Sequence, residues 1–301
     1  MECHNVEINL PILKKKQVSL YIKREDMLHP IISGNKFRKL KYNLVEAKAQ
    51  NFNTLLTFGG AYSNHIAATA CAGAESGFKT IGVIRGEELS ENFLDNPTLK
   101  LAHDYGMDFK FVSRETYRTK NDPTFIKRLE LEFCSFYLIP EGGTNNLAVK
   151  GCEEILSTSD AIFDLICCSV GTGGTVAGII NSKDGAQSVM GFSALKGDFL
   201  KEDIRKFAFG KNWKVIAEYH FGGYAKITDE LVLFINAFKE KTNILLDPIY
   251  TGKMIYGILD MVRKDKFKPG TQILAIHTGG LQGIAGMNKK LKKKNEQLIV
   301  I

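Results

Sequence analysis

The 301-residue sequence lacks long apolar runs, and no stretch approaches the ~20 consecutive apolar residues that a transmembrane helix needs. Its first residues, MECHNVEINLPILKKKQ, also lack the continuous apolar core and the small-residue cleavage site of a secretory signal. Both absences argue against membrane insertion and export. We therefore expect a globular protein located in the cytoplasm.

CxxC pairs are absent as well, although the chain has six cysteines. Cys167 and Cys168 are adjacent inside the apolar run LICCSV, a setting typical of reduced cysteines in a buried strand. We expect the cysteines to be reduced core residues, and we expect no metal site.

Aromatic residues are missing from the two lysine clusters that contribute to the net charge of +7, Lys14 to Lys16 and Lys289 to Lys294. Because no nucleic-acid-binding motif accompanies these clusters, we do not expect nucleic acid as a partner, although a basic nucleic-acid binder stays an alternative. A small anionic ligand would be attracted by the same positive field. The sequence also lacks a GxxxxGK[ST] loop and a GxGxxG followed by a suitably placed acidic residue, which argues against mononucleotide and dinucleotide sites.

Apolar runs and helical segments alternate along the chain. The predicted strands include VSLYIKRED, TLLTFGG, KTIGVIRG, DFKFVS, FYLIPEGG, FDLICCSV and TQILAIHTGG. This rhythm predicts an α/β fold with twisted, mainly parallel sheets and helices on both faces. The length and the 44% hydrophobic content allow one long domain or two of ordinary size. The segment from about Asn181 to Asn212 shows no clear pattern.

Four predicted strands are followed by glycine-rich segments: FGGAYSNH, PEGGTNN, SVGTGGTVAG and HTGGLQG. Since ligands of parallel-sheet proteins bind beyond the carboxyl ends of strands, these segments are candidates for one site. In GTGGT, Gly171 to Thr175, bare backbone N–H groups and the start of a helix near Val176 would together hold a phosphate. A tight turn without a ligand would give the same pattern, so both explanations stay open.

Lys36 lies in SGNKFRKL, between a Gly-Asn turn and the start of a basic, helix-forming stretch. An amine in this position, with Arg38 and Lys39 close by to depress its pKa, is suited to form a Schiff base with a carbonyl cofactor. Taken alone, an ordinary surface lysine is the commoner explanation. The glycine-rich segments favour the reactive amine.

Polar and aromatic residues in the predicted turns are further candidates. Ser63 or Asn64 could simply cap a helix, but together with His65 they also offer a hydroxyl, an amide and a titratable ring to a ligand. Tyr224 in FGGYAK and Tyr250 in DPIYTGK lie in predicted loops, where a tyrosine either packs half-buried or relays a proton. The residues alone leave these alternatives open.

Five motifs in this order, SGNKFRKL, FGGAYSNH, SVGTGGTVAG, DPIYTGKM and HTGGLQG, resemble those of the D-cysteine desulfhydrase and 1-aminocyclopropane-1-carboxylate deaminase family. These pyridoxal 5'-phosphate enzymes have the tryptophan-synthase-β-like fold, also called fold type II. The resemblance extends from about Tyr21 to Gly286. It implies a small domain, residues 41–140, inserted into a large cofactor-binding domain of residues 1–40 and 141–301. It also implies a homodimer without a membrane partner.

The resemblance assigns cofactor roles by position. Lys36 matches the lysine that holds the cofactor covalently and takes the α-proton of the substrate. Asn64 matches the residue at the cofactor's ring hydroxyl, and Thr278 the residue facing the pyridine nitrogen. The residues that match the phosphate loop are Gly171, Thr172, Gly173, Gly174 and Thr175.

The resemblance also assigns residues to catalysis and the substrate. Ser63 matches a serine that binds the substrate carboxylate or acts on the reacting carbon, and Tyr224 and Tyr250 match two active-site tyrosines. His65 and Thr251 are further candidate contacts of the substrate. Tyr62 stands where the family usually has glutamine, so we expect it to reshape the substrate pocket.

Thr251 and Thr278 favour one of the family's two activities. At these two positions the motifs of ring-opening members resemble DPVYEGK and HLGG, which places a glutamate by the ring nitrogen. The motifs of desulfhydrases resemble DPVYTGK and HTGG. A carboxylate keeps the pyridine protonated, which suits a substrate without an α-hydrogen. We therefore expect α,β-elimination from a small D-amino acid, with D-cysteine giving pyruvate, ammonia and hydrogen sulfide. The alternatives are ring opening of 1-aminocyclopropane-1-carboxylate, or cofactor binding with little catalysis.

Overall fold

The computed structural model describes residues 3–197 and 199–301, and these residues form two β-sheets with helices packed on them. The strands are β1 Asn5–Glu7, β2 Ser19–Lys23, β3 Thr54–Gly60, β4 Lys79–Arg85, β5 Met107–Val112, β6 Tyr137–Ile139, β7 Leu165–Val170, β8 Ser188–Ser193, β9 Trp213–Ile216 and β10 Gln272–Ile276. One sheet has the order β1-β2-β10-β7-β8-β9 and the other has the order β5-β4-β3-β6. Every pairing is parallel except that of β1 with β2, which confirms the predicted α/β class.

Helices connect the parallel strands. They are α1 Pro11–Lys16, α2 Asn35–Ala49, α3 Asn64–Ser76, α4 Pro97–Asp104, α5 Arg114–Arg118, α6 Pro123–Phe133, α7 Asn146–Cys152, α8 Gly174–Ser182, α9 Leu200–Arg205, α10 Asp229–Thr242, α11 Thr251–Arg263 and α12 Gly283–Lys293. In the described part of the chain, no helix has both the length and the apolar character that a membrane span requires.

Strand β7 shows how the larger sheet is buried on both faces. All of its residues are buried, and successive side chains enter different cores: Ile166 and Cys168 pack in the core formed with α8 and α9, whereas Cys167 packs with α10 and α11. This alternation explains the continuous apolar run. The expectation that all cysteines are core residues is wrong for Cys134, which is exposed because it follows the surface helix α6.

The four strands of the smaller sheet lie between residues 54 and 139, inside the region predicted as a small domain. Helix α2 runs through residue 40 without a break, and the domain boundaries themselves remain a prediction. The unpatterned segment from Asn181 to Asn212 contains β8 and α9. Strands β3, β7 and β10 each end at a glycine-rich segment, so the fold brings these segments to the carboxyl ends of the two sheets.

Candidate active site

Lys36 is the second residue of α2, and its position is set by a glycine turn that packs on the end of β10. Gly34 has φ +64°, and a Cβ there would lie 2.0 Å from the Thr278 carbonyl oxygen. The Asn35 N–H donates to the same oxygen at 3.2 Å. Only glycine permits both the left-handed backbone and this close approach. The turn therefore fixes the start of α2 beside Thr278.

The amines of Lys36 and Lys39 meet at one acceptor. Both donate to the Gly142 carbonyl oxygen, at 2.9 Å and 3.1 Å, and Lys39 also donates to the hydroxyls of Thr144 at 2.8 Å and Thr172 at 3.3 Å. Lys36 is half-buried with its amine enclosed, and Lys39 is 2% exposed. Burial lowers the pKa of both amines, and the charge of Lys39 lowers the pKa of Lys36 further. The Lys36 amine is thus poised to be neutral and nucleophilic.

Arg38 does not take part in this effect, contrary to the expectation from the sequence. Its guanidinium forms two hydrogen bonds of 2.8 Å with the buried carboxylate of Glu25. The paired charge is neutralised, so Lys39 is the cation that acts on Lys36.

The glycine-rich loop Gly171–Thr175 faces the two amines from the start of α8. Gly173 has φ +83°, and a Cβ on Gly174 would lie 2.8 Å from Thr144 Cγ2 and 3.3 Å from Lys39 Nζ. The Asn35 amide donates to the Thr175 hydroxyl at 2.8 Å, which fastens the start of α2 to the loop. The loop, the N–H groups of the first turn of α8 and the Lys39 amine are donors that a phosphate group at this place would contact.

The charges support a phosphate group at this place. Neither Lys36 nor Lys39 has a carboxylate within ion-pair distance among residues 3–197 and 199–301. Buried cations normally have an anionic partner, and here only neutral oxygens surround the Lys39 amine. An aldehyde cofactor that carries a phosphate fits both the neutral Lys36 amine and this cationic cradle.

A cavity of about 70 Å³ adjoins Lys36 and brings together residues from three segments, among them Asn64 and Thr278. The Thr278 side chain is 7% exposed, and its hydroxyl lies 3.2 Å from the Ser169 hydroxyl. Asn64 begins α3, directly after Ser63, whose side chain caps that helix by accepting from the Ile66 N–H at 3.4 Å. The capping role does not exclude a second role for the half-buried Ser63.

Gln282, which the sequence did not single out, orients Asn64. Its side-chain N–H donates to Asn64 Oδ1, and its own Oε1 accepts from the Thr98 hydroxyl at 3.3 Å. This chain of hydrogen bonds leaves the Asn64 NH₂ group free to donate toward the cavity. Gln282 lies in the glycine-rich motif HTGGLQG, but a glutamine there has no signature of its own.

Tyr250 and Tyr224 lie beside Gly171, at the start of the glycine loop. A Cβ on Gly171 would lie 3.2 Å from the Tyr250 hydroxyl, so this hydroxyl approaches the loop closely. The ring centroids of the two tyrosines are 6.4 Å apart. Burial, followed by the neighbouring Tyr224 and Asp247, raises the pKa of Tyr250 well above its usual range, so this phenol stays protonated. Tyr224 is 45% exposed.

Three candidate substrate residues have other surroundings. The Tyr62 ring packs on Gly286 of α12 and lies under the Lys290 amine, 5.0 Å from it. His65 is 1% exposed and contacts the Thr57 hydroxyl through Nε2 at 2.8 Å. Thr251 is fully buried, and its hydroxyl donates to Asp247 at 2.6 Å. None of the three lines the cavity beside Lys36.

Comparisons with known proteins show the family of the chain and its cofactor. Residues 6–279 match a family described as "Pyridoxal-phosphate dependent enzyme". A Pyrococcus horikoshii protein, named as a candidate 1-aminocyclopropane-1-carboxylate deaminase, is 33% identical over 90% of this chain and 87% of its own length. An Arabidopsis thaliana protein, named bifunctional D-cysteine desulfhydrase/1-aminocyclopropane-1-carboxylate deaminase, mitochondrial, is 33% identical over 92% of this chain and 75% of its own. A crystal structure of "the ACC deaminase homologue" superposes with a TM-score of 0.82 at 27% identity, covering 97% of this chain and 94% of its own.

Proposed function

Because the chain belongs to the pyridoxal-phosphate-dependent enzymes, in the lyase group of the 1-aminocyclopropane-1-carboxylate deaminases and D-cysteine desulfhydrases, we propose that it eliminates the β-substituent of a small D-amino acid. D-Cysteine is the leading substrate, and pyruvate, ammonia and hydrogen sulfide are the products. When bound, pyridoxal phosphate supplies an electron-withdrawing ring that stabilises negative charge on the α-carbon.

The residues around Lys36 are suited to hold this cofactor. Lys36 would be its covalent attachment point, and the loop Gly171–Thr175 with Lys39 would bind its phosphate. Asn64, oriented by Gln282, would donate to the ring oxygen. Thr278 would face the ring nitrogen with a neutral hydroxyl.

Proton removal is proposed for Lys36. Its lowered pKa leaves a neutral amine that can accept the α-proton once the substrate is in place. The substrate carboxylate would bind at the start of α3, where the Ser63 hydroxyl and the free N–H groups of the first turn are available. This arrangement would direct the α-hydrogen toward Lys36.

Proton donation is proposed for Tyr250, with Tyr224 at its side. Because its raised pKa keeps Tyr250 protonated, its hydroxyl can donate to the sulfur that leaves the β-carbon. The exposed edge of Tyr224 would close the site toward solvent.

The choice of elimination over ring opening rests on one observation, which is that Thr278 offers a neutral hydroxyl. Its side-chain partner is another hydroxyl, that of Ser169, rather than a carboxylate. A neutral partner is sufficient for removing an α-proton next to a good leaving group, and it is a weak aid to a substrate without an α-hydrogen. Ring opening to 2-oxobutanoate and ammonia is the second candidate, favoured by the names of the relatives.

A substrate panel tests the proposal. The purified protein is incubated separately with D-cysteine, L-cysteine and 1-aminocyclopropane-1-carboxylate, and sulfide, pyruvate and 2-oxobutanoate are measured. We expect equal amounts of sulfide and pyruvate from D-cysteine, and none from the Lys36→Ala variant. Faster release of 2-oxobutanoate than of sulfide would exclude the leading proposal in favour of ring opening. A cofactor spectrum without turnover of any of the three would indicate a binding protein.

We also propose that the protein is a homodimer, as the resemblance implies. Light scattering after gel filtration should give twice the mass of one chain, and the mass of a single chain would contradict this.

A further inference from the structure

A second cavity, of about 430 Å³, opens beside the edge strand β9 and shares no lining residue with the cavity at Lys36. Its volume falls in the range of small-molecule sites, roughly 300 to 1,000 Å³. Its lining includes the side chains of three cations and one indole, Lys201, Arg205, Lys211 and Trp213. Lys214 also borders it, but its side chain lies on the opposite face of β9 from Trp213, because successive side chains of a strand alternate. The proposed function assigns no role to any of them.

In the described part of the chain, none of these three cations has a carboxylate within ion-pair distance, although α9 itself carries acidic residues. Asp203 pairs instead with Lys206, at 2.6 Å. Lys201 and Arg205 are four residues apart, so they share one face of α9. The acidic side chains of α9 therefore do not neutralise Lys201 and Arg205, and these two cations line the cavity.

The wall of the cavity is held in place by contacts with α8. The Asn181 side chain donates to the Phe207 carbonyl at 3.0 Å and accepts from the Phe209 N–H at 2.9 Å. A Cβ on Gly210 would lie 2.6 Å from the Ile180 carbonyl oxygen, so the loop packs directly on the helix. These contacts hold the loop against α8 despite the mutual repulsion of the cations.

We propose that this cavity binds a compact polyphosphate anion. Three cations around one space exceed what a single carboxylate group needs, and they suit a ligand with about three negative charges or more. The half-buried Trp213 adds an aromatic surface on which a nucleotide base can stack. The ligand class therefore includes free inorganic polyphosphate and nucleoside triphosphates. This inference does not depend on the proposed activity.

Trp213 is the only tryptophan of the chain, so the tryptophan emission originates at this cavity. The whole chain, loaded with pyridoxal phosphate so that the first anion site is filled, is titrated with tripolyphosphate and, separately, with ATP at constant ionic strength. Tryptophan emission and calorimetric heat are followed together. We expect saturable binding of at least one of the two, and tighter binding of ATP would assign the nucleotide as the preferred source.

The Lys201→Gln/Arg205→Gln double variant should bind at least about tenfold more weakly, since it loses two charge-assisted contacts. Both positions are exposed, so neither substitution should disturb the fold. Lys206→Gln is the matched control because Lys206 lies next to Arg205 and is paired with Asp203, and its affinity should equal that of the wild type. Absence of saturable binding, equal losses in the double variant and the control, or tighter binding of a single-stranded oligonucleotide than of either probe would each overturn the proposal.

Discussion

Lys36 and Lys39 show how two neighbouring residues acquire different chemistry from one helix. They are three residues apart on α2, so both amines reach the Gly142 carbonyl. The Lys39 amine has two further acceptors, the hydroxyls of Thr144 and Thr172, whereas Lys36 has no other acceptor among the described residues. Lys39 is therefore better placed to keep its proton, and its charge helps to keep Lys36 neutral.

Replacement of Lys39 should move the pH dependence of cofactor attachment. Only the neutral Lys36 amine attacks an aldehyde, so the attachment rate is expected to rise with pH and to level off above the lowered pKa of Lys36. In Lys39→Met a positive neighbour is lost, the pKa of Lys36 rises, and the plateau moves to higher pH. Stopped-flow absorbance of the cofactor measures the rates, and borohydride reduction with peptide mapping should still place the label on Lys36.

Lys41→Met is the control for this experiment. Lys41 lies on the same helix, but its amine is paired with Glu154 at 2.7 Å on the surface. The pH profile of cofactor attachment in Lys41→Met should match that of the wild type. A plateau that stays in place in Lys39→Met would show that Lys39 does not set the pKa of Lys36.

Gln282 variants test the hydrogen-bond chain that orients Asn64. If Asn64 donates to the cofactor ring as proposed, Gln282→Leu frees its amide to rotate and should weaken cofactor affinity about three- to tenfold, the effect of one ordinary hydrogen bond. Gln282→Glu should be worse, because a carboxylate attracts the Asn64 NH₂ group and turns its oxygen toward the ring. Equilibrium titration of the cofactor absorbance gives both affinities. Equal affinities in wild type and both variants would remove Gln282 from the site.

Single residues were predictable from the sequence where a local motif fixed them. Lys36 and Asn64 were chosen from predicted turns next to helices and Thr278 from the family resemblance, and the fold brings all three to one cavity. Glu25, which neutralises Arg38, could not be found in this way, because the pair joins a 3-10 turn to a helix through tertiary packing. The packing of Tyr62 on Gly286 is equally non-local.

Among the elements, the turn before α2 has the strictest geometric requirement. Gly34→Ala should lower the free energy of unfolding by roughly 2 to 4 kcal/mol, because the left-handed backbone and the backbone atoms of Thr278 leave no room for a methyl group. The turn would have to shift, and cofactor affinity should fall with it because Lys36 moves. Chemical denaturation and cofactor titration measure the two effects.

Gly185→Ala is the matched control for the turn. Gly185 is exposed and a Cβ there meets nothing within 4 Å, so its unfolding free energy should change by less than about 0.5 kcal/mol. A Gly34→Ala protein as stable as this control would mean that the turn is not locked onto β10.

Element types were readable wherever hydrophobic periodicity was strong. The run LICCSV predicted β7 correctly, because a strand that is covered on both faces needs apolar residues at every position. The secondary structure around α9 could not be predicted, since α9 has only six residues and presents cations on its outer face. Its burial rests on Leu200 and Ile204, which are too few to give a period.

At the scale of the whole molecule, the candidate site lowers stability. The cores on both faces of each sheet stabilise the fold, whereas the enclosed amine of Lys36 has no anionic partner among the described residues when the cofactor is absent. Binding energy from the cofactor would offset this, since a ligand that binds only the folded state stabilises it. Function and stability are thus in conflict at Lys36.

Lys36→Met makes this conflict measurable in the cofactor-free protein. Unfolded lysine holds its proton up to about pH 10.4, whereas the folded Lys36 loses it at lower pH. Between the two pKa values the unfolded state binds more protons, so the contribution of Lys36 to stability rises with pH. Methionine has a similar shape and no charge, and the Gly142 carbonyl keeps Lys39 as a donor. The variant should therefore be more stable at pH 7, with a melting temperature higher by roughly 2 °C or more.

The difference between the two proteins should shrink as the pH rises from 7 toward 10, because the unfolded lysine then loses its proton too. Subtracting the two melting curves cancels the buried cysteines, whose raised pKa values affect both proteins equally. Lys41→Met, at an exposed and paired position, should show no such pH-dependent gain. Differential scanning calorimetry at several pH values measures all three proteins. A Lys36→Met gain that is absent at pH 7, or that grows with pH, would mean that Lys36 keeps its charge in the folded chain, and its role as a neutral nucleophile would have to be abandoned.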